Sequence, residues 1–587
     1  MISRTRRSVI ISLSLAARLA LAAGFDLQIN DVSGIDESWP MTAGLPFAAG
    51  VLRDAGQIRL VDAAGTEVPA QVDVAATWRD GSIRWALAGF TASPRGRYRV
   101  EYGPGVERET APAVPLKLEQ AASGMLTINT GAAVYEFAPD ALLPARVIMD
   151  GVTVVADAGA GAYLLDNHGR EARVAGAAAA VQTEIVRQGP ARAVILRQGF
   201  YVTGAGVRLA RARAWFYLAV GSPYLRITHS LVFTEDTNEV WIRDYGLEFN
   251  TPAAPNRARF ALGPPGAEEL FEADPGGDEV YLLQDTFPHY RERASRAVVA
   301  RVGQGKTDIL TETALAGDWA DADYAGYGLT LVVPWLAQQF PKEISFGPQR
   351  AKAALWSGRS GRELDFRART LVREYWGEWA ELIVENADTP VKSWINKYWN
   401  EDREPEGAEA LAEWPSNAQG AARTHDVWLL PHKAGDDADK VRARAVAAAR
   451  PPLVLADPVH LCATEAIGWP THPRDPARFP REEAMLSAHW ERLMAQFDAL
   501  PRTGFIGWGG APYLSINKMF RLGILADYGL RRAVWGLYAR GGERHYHDYG
   551  VRYNRHIADW WVHHWNAGDK FRGGFATPGG YWEGHLG

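Results

Sequence analysis

The chain has 587 residues, too long for a single hydrophobic core and enough for about three domains. With 47% hydrophobic and 22% charged residues it reads as an ordinary folded protein, which excludes the disordered and fibrous classes. A net charge of -6 leaves no polybasic footprint for nucleic acid, although a local arginine cluster can still receive an acidic polymer, and a single cysteine, Cys462, excludes a disulfide framework and a cysteine-built zinc site.

The first 23 residues read as an export signal. Arg4, Arg6 and Arg7 are basic, 9–21 is mostly apolar, and Ala20-Leu21-Ala22 fits a small-residue cleavage site. Thr5-Arg6-Arg7 also suits a twin-arginine signal, so a periplasmic or secreted location is expected. No later stretch is long and apolar enough to cross a bilayer, and no stable membrane insertion is expected.

Residues 24–115 read as short strands and turns. Val68, Ala70, Val72 and Val74 alternate, as do Tyr98, Val100 and Tyr102, with Ala64-Gly65 and Asp80-Gly81 as turns, which predicts a small β-barrel or sandwich domain. From 116 to 450 the strands lengthen. Leu225, Ile227, His229, Leu231 and Phe233 share one side of a strand while Arg226, Thr228 and Ser230 take the other, and further strands are expected over 193–202, 213–220, 240–249 and 327–333. That run of strands predicts a large antiparallel β-sandwich, with His229 a core histidine holding a partner. The seven prolines of 450–480 predict an extended connector with neither helix nor central strand. Helices follow over 481–500, where Leu486, Trp490, Leu493 and Phe497 share a face, and in two more patterns separated by Gly541-Gly542. Over the whole chain the fold class is α+β, with 451–587 the helical part.

The last helical pattern, from Glu543 to Trp565, puts Tyr546, Tyr549, Tyr553, His556, Trp560 and His564 on one face at steps of three and four. Asp559 lies within reach of His556 and His563 on such a helix. A ring stripe at helical spacing is ordinarily a packing face. The density of imidazoles favours a role for at least one of them in moving a proton beside a sugar ring.

Several short motifs stand in a definite order. Gly44-Leu45-Pro46 and 78–85 come early, Leu355-Trp356-Ser357-Gly358 lies in the middle, and Arg423-Thr424-His425 ends the strands. Gly507-Trp508-Gly509, then Arg555-His556 with Asp559 and His564, then Trp582-Glu583-Gly584-His585 follow. In this succession the chain resembles the rhamnogalacturonan exolyase and YetA-like family. The resemblance implies an N-terminal RIFT barrel, a central β-sandwich and a C-terminal α/α toroid, and a polysaccharide lyase acting on acidic polysaccharide or oligosaccharide that contains uronate. Gly509-Gly510 stands where the family pattern has Gly-Asp. The helices before Gly587 are fewer than a complete toroid needs, so a partial toroid in a truncated product is expected.

β-Elimination at a uronate requires a base for the proton α to the carboxylate, a group that neutralises that carboxylate, and an acid for the departing oxygen. On that chemistry His556 or His564 is the expected base, Tyr528 or Tyr553 its acid or base partner and Arg555 the neutraliser. Trp508 and Trp582 are the expected sugar platforms, with His585 and Asp559 beside the substrate. No cofactor is expected; calcium can replace arginine as neutraliser, but no EF-hand motif is present. Two alternatives remain: a glycoside hydrolase using Asp559 and Glu583 as a carboxylate pair, and a non-catalytic carbohydrate-binding protein.

Overall fold

The structure, a computed structural model, describes residues 23–108, 111–156, 161–287, 295–367, 418–499, 504–509, 530–560 and 562–565. Strands dominate these residues. The first eight-stranded sheet buries alternate residues such as Phe25, Leu27, Met41, Ala43, Leu45, Ile58, Leu60, Ala86, Ala88 and Val100 around Trp39. The alternation read over Val68 to Val74 holds only at its start. Ala70 is buried but Val74 is 44% exposed, because the strand Ala70–Thr77 lies at the sheet edge and its register slips after Val74.

One strand of this sheet comes from far along the chain. Leu453–Ala456 lies between Ala23–Asn30, to which it is antiparallel, and Trp39–Pro46, to which it is parallel. This corrects the reading of 450–480 as connector throughout. Pro451 and Pro452 precede the strand rather than sit within it, so its ladder lacks no N–H.

The sandwich combines a five-stranded sheet over 117–155 with a seventeen-stranded antiparallel sheet that begins at Gly161–Asp166 and ends at Ala422–Lys433. In the strand Leu225–Val232 the expected two-sidedness is present: Leu225, Ile227, His229 and Leu231 are fully buried, and Arg226, Thr228 and Ser230 point to the other face. His229 is a core histidine whose Nε2 lies 3.0 Å from the Tyr201 hydroxyl.

Helix α1, Ala438–Ala449, wedges between the barrel and the sandwich. Its Val441, Ala445, Ala447 and Ala448 pack with Trp319, Val332, Trp428 and Leu430, small side chains allowing close approach to both sheets. Arg444 of α1 donates to both carboxylate oxygens of Glu37, at 2.7 and 2.9 Å, and to Asp436 at 2.5 Å, so one guanidinium ties the two domains together.

Four more helices precede the last: α2 Pro458–Ala463, α3 Pro480–Ala499, α4 Gly504–Gly507 and α5 Leu530–Gly541. Cys462 of α2 is buried, and burial pushes its thiol up to about 11. Helix α6, Arg544–Trp560, completes the described elements, and no described helix is long and apolar enough to cross a membrane. In α6 the ring face is a packing face. Tyr546, Tyr549, Tyr553, Ile557 and Trp560 join Trp490, Phe505 and Val534 in the same core as the sandwich. His564 lies beyond the end of α6 rather than on that face.

A cationic cleft between barrel, sandwich and helix α6

The site is built from two stripes and a sheet face. Along α6, Arg544, Asp548, Arg552 and Arg555 recur at four, four and three residues, a second stripe beside the buried rings. On the sandwich, neighbouring strands pair Tyr217 with Arg226, Arg226 with Trp428 and Thr228 with Asp426, so these side chains share a face. The barrel closes the far side with Met41, Thr42 and Phe90, and the end of α1 adds Arg450.

Between them lies a cleft of about 420 Å³. Seven arginines line it, Arg192, Arg226, Arg423, Arg450, Arg544, Arg552 and Arg555, against the two carboxylates of Asp426 and Asp548. Trp335, Trp428, Trp508 and Tyr217 supply ring surface. The rings and cations are interleaved. The Arg552 guanidinium carbon is 4.7 Å from the Trp508 ring, Arg450 is 5.6 Å from Trp335, and the two indoles lie 5.1 Å apart.

Two backbone features hold these indoles in place. Trp335 adopts φ 61, a left-handed conformation uncommon for an indole-bearing residue. Asp318 fixes that turn by accepting from Leu336 N at 3.0 Å and from the Trp335 backbone, and burial pushes its carboxyl up to about 6. Gly509, after Trp508, has φ 98, and a Cβ there would stand 2.5 Å from the Arg552 carbonyl oxygen. Glycine thus lets the Trp508 turn rest on α6.

At the cleft floor Asp426 is a shared anchor. Its Oδ2 accepts from Arg555 at 2.9 Å and from Arg226 at 3.2 Å, and its Oδ1 accepts from Thr228 at 2.5 Å. Burial opposes its charge, but Arg226 and Arg555 outweigh burial and hold the carboxyl far below the usual range. Arg555 mirrors this: burial lowers its pKa, and Asp426 more than restores it, with Asp559 and Tyr217 adding to the effect.

Of the residues expected from sequence, Arg555 and Trp508 line the cleft. Tyr553, His556 and Asp559 do not; they are 1, 2 and 3% exposed and belong to packing, which corrects their expected places as acid or base partner, base and substrate neighbour. A face repeating every three to four residues is the one a helix buries, and that rule outweighed the chemistry of its rings. Asp559 bonds neither His556 nor His563 but clamps Thr424, accepting from its N at 2.9 Å and its Oγ1 at 2.6 Å, with Arg423 at 3.8 Å. Burial raises its carboxyl despite Arg423 and Thr424, while burial lowers the Arg423 guanidinium to about 10. His564 lies outside the cleft, with Nε2 2.6 Å from the Ala558 carbonyl oxygen and its pKa lowered chiefly by burial. Tyr528, Trp582, Glu583 and His585 lie outside the described residues.

On the opposite face of the strand carrying Asp426, the fully buried Lys342 Nζ lies 2.9 Å from Nδ1 of His425. Burial drives both far below their usual values, and neither lines the cleft. Among the described residues no group of three or more His, Cys, Asp or Glu side chains is placed to hold a metal ion.

Fold and cleft together define a multidomain β protein with a cationic, indole-lined groove where its barrel, its sandwich and its last helices meet. Residues 31–103 match the PcRGLX-like N-terminal RIFT barrel domain, and residues 122–259 match the PcRGLX-like protein central beta sandwich domain. The chain therefore carries two PcRGLX-like domains in that order, consistent with the rhamnogalacturonan lyase-like family. No curated protein matches.

Among solved structures, similarity extends to a protein in the glycosyl hydrolase family 38 from Enterococcus faecalis, at 9% identity and TM-score 0.41 over 74% of this chain and 47% of that one. An alpha-mannosidase from Enterococcus faecalis V583 is similar at 10% identity and TM-score 0.36, over 74% and 46%. A putative aldose 1-epimerase from Escherichia coli K12 gives 10% and 0.23, over 54% and 99%. The chain spans about half the length of the first two.

Proposed function

We propose that this chain binds uronate-containing saccharide in the arginine cleft and cleaves it by β-elimination, as a polysaccharide lyase exported to the periplasm or beyond. The observation that carries the reading is the charge of the cleft: seven arginines against two carboxylates, in a chain whose net charge is -6. The PcRGLX-like domains support the same direction.

Arg226 and Arg555 share one aspartate, so an incoming carboxylate meets two guanidiniums already oriented by Asp426 and receives donors from both. That neutralisation lets negative charge build on the substrate when the proton α to the carboxylate leaves. Tyr217 is the phenol beside these cations, with its ring 5.1 Å from the Arg226 guanidinium carbon, and it takes the role expected of a tyrosine in moving that proton. As Tyr217, reacting as its phenolate, takes that proton, the C–H electron pair forms the new double bond, the glycosidic C–O bond breaks, and the departing oxygen receives the proton back from the Tyr217 hydroxyl. Trp508 and Trp335 present ring faces for the sugar.

Incubating the protein with rhamnogalacturonan or size-defined oligouronides and recording ultraviolet absorbance tests this directly. An unsaturated uronate product appears on this reading. New reducing ends without that absorbance would make the chain a hydrolase, and binding without turnover would make it a carbohydrate-binding protein.

A further inference from the structure

The cleft arginines differ in what already holds them. Arg226 and Arg555 share Asp426, Arg192 is paired with Asp73 at 2.6 Å, and Arg544 donates to the carbonyls of Asn30 and Pro451 at 3.2 and 3.1 Å. Arg423 is 2% exposed and donates to Gln339 and to the Trp508 carbonyl. Arg450 differs. Among the described residues its side chain makes no hydrogen bond and no ion pair; its Nε is buried without a partner, and its guanidinium lies against the Trp335 ring.

The base of that side chain is fixed. Arg450 caps the C-terminal end of α1, its backbone N–H donating to the Val446 carbonyl at 2.8 Å, and Pro451 and Pro452 restrict the chain that follows. The Arg544 bond to the Pro451 carbonyl ties this turn to α6. Asp548 is already held by Arg544 at 3.3 Å and by His547 at 3.2 Å; it and Asp318 feel the Arg450 charge without forming an ion pair with it. A guanidinium that has exchanged part of its hydration for an indole, and has no counter-ion, gains a charge-assisted pair when a carboxylate arrives.

Helix α6 measures how far this group lies from the Asp426 anchor. The helix residues that feel Arg450 are Arg544 and Asp548, whereas Arg555 carries the pair with Asp426. Asp548 precedes Arg555 by seven residues, about 10 Å along the helix axis at about 1.5 Å each. Trp508, beneath Arg552, and Trp335, beneath Arg450, lead from one end to the other.

We propose that Arg450 and the Trp335 indole form a second carboxylate-receiving subsite, so that the cleft takes an acidic oligosaccharide by two uronates rather than by one. The inference rests on the reading that Arg226 and Arg555 receive the first carboxylate. A span of about 10 Å is longer than a single sugar ring. The two carboxylates therefore belong to uronates with a further sugar between them, and that sugar lies across the indoles of Trp508 and Trp335. The smallest ligand that fills both ends is a trisaccharide with a uronate at each end.

The test is calorimetric titration of the full chain with galacturonate, with trigalacturonate and with a trisaccharide of one uronate and two neutral sugars. Wild type, R450Q, R450K, R226Q and R555Q are compared, and thermal melts of each check folding. Wild type is expected to bind trigalacturonate at least about tenfold more tightly than either singly charged ligand. R450Q should lose about tenfold for trigalacturonate while its affinity for galacturonate stays within about twofold of wild type. R450K should keep part of the gain, since an ammonium supplies the charge without the planar fork. The comparison of ligands on wild type needs no variant to fold.

Equal wild-type affinity for trigalacturonate and the singly charged trisaccharide would overturn the second subsite and leave the first intact. So would a loss in R450Q that is the same for trigalacturonate and galacturonate. Displacement of trigalacturonate by inorganic phosphate at lower concentration would overturn the assignment to saccharide. Binding untouched by R226Q and R555Q, with trigalacturonate still dependent on Arg450, would support Arg450 as a carboxylate receiver and overturn the reading it rests on. Failure of every ligand to bind would overturn both.

Discussion

Asp559 joins helix α6 to the sandwich strand Ala422–Lys433 through Thr424. Its carboxylate is 3% exposed and accepts two hydrogen bonds from Thr424, while Arg423, itself 2% exposed, lies 3.8 Å away. Asp559→Ala leaves the Thr424 amide unpaired and the Arg423 charge buried without its counter-ion, and removing one partner of a buried pair costs about 3–5 kcal/mol. Asp559→Asn behaves differently. The folded state binds the Asp559 proton more tightly than the unfolded chain, since burial raises the carboxyl above its ordinary value. The neutral isostere can accept from Thr424 N and donate to Thr424 Oγ1, which turns its own proton toward Ser230 Oγ at 2.6 Å. The expected cost is about 1–3 kcal/mol, less than for alanine because Thr424 keeps its partners although Arg423 loses its counter-ion. Urea unfolding followed by tryptophan fluorescence reads both variants. If both keep the wild-type midpoint while abolishing turnover, Asp559 is part of the chemistry and the structural account of it is wrong.

Other perturbations have equally specific outcomes. Asp318, pushed up to about 6 from 3.8, favours folding while protonated; that contribution is full below about pH 4 and lost as pH rises through about 6. Asp318→Asn should remove this dependence and stabilise the protein at pH 7 by up to about 3 kcal/mol, two units at 1.36 kcal/mol each; a melting profile against pH unchanged by the substitution would contradict this. Tyr217→Phe is expected to bind oligouronide within about twofold of wild type but to lower turnover by about 100-fold or more, the scale of one general acid or base, as read by initial rates at saturation. Glu37→Ala should loosen the barrel from α1 by removing two charge-assisted bonds to Arg444, seen as faster hydrogen exchange in 438–449; unchanged exchange there would show that apolar packing alone holds the domains.

Much of the fold was legible because it depends on local period. The two-sided strand around His229 and the buried ring face of α6 follow from steps of two and of three to four, and both are where the alternation put them. The strand Leu453–Ala456 was not legible, since four residues after two prolines carry no sign that a distant sheet has room for them. The cleft was legible only in part. Its arginines come from separate strands, from the end of α1 and from α6, and nothing in the spacing of Arg192, Arg226 and Arg423 brings them together. The stripe Arg544, Asp548, Arg552 and Arg555 was the available signal, a polar face at helical period on the same helix whose rings drew attention. Rings at that period mark the side a helix hides, and charges mark the side it presents.

The central claim is that the arginine cleft receives a uronate carboxylate at Arg226 and Arg555. Calorimetric titration of wild type, Arg226→Gln and Arg555→Gln with a short oligogalacturonide and with its methyl-esterified, uncharged counterpart tests it most directly. The account predicts that wild type prefers the charged ligand, that added salt weakens that preference, and that each substitution costs about tenfold or more for the charged ligand alone. Equal affinity for the charged and esterified ligands, or binding untouched by both substitutions in folded protein, would contradict it.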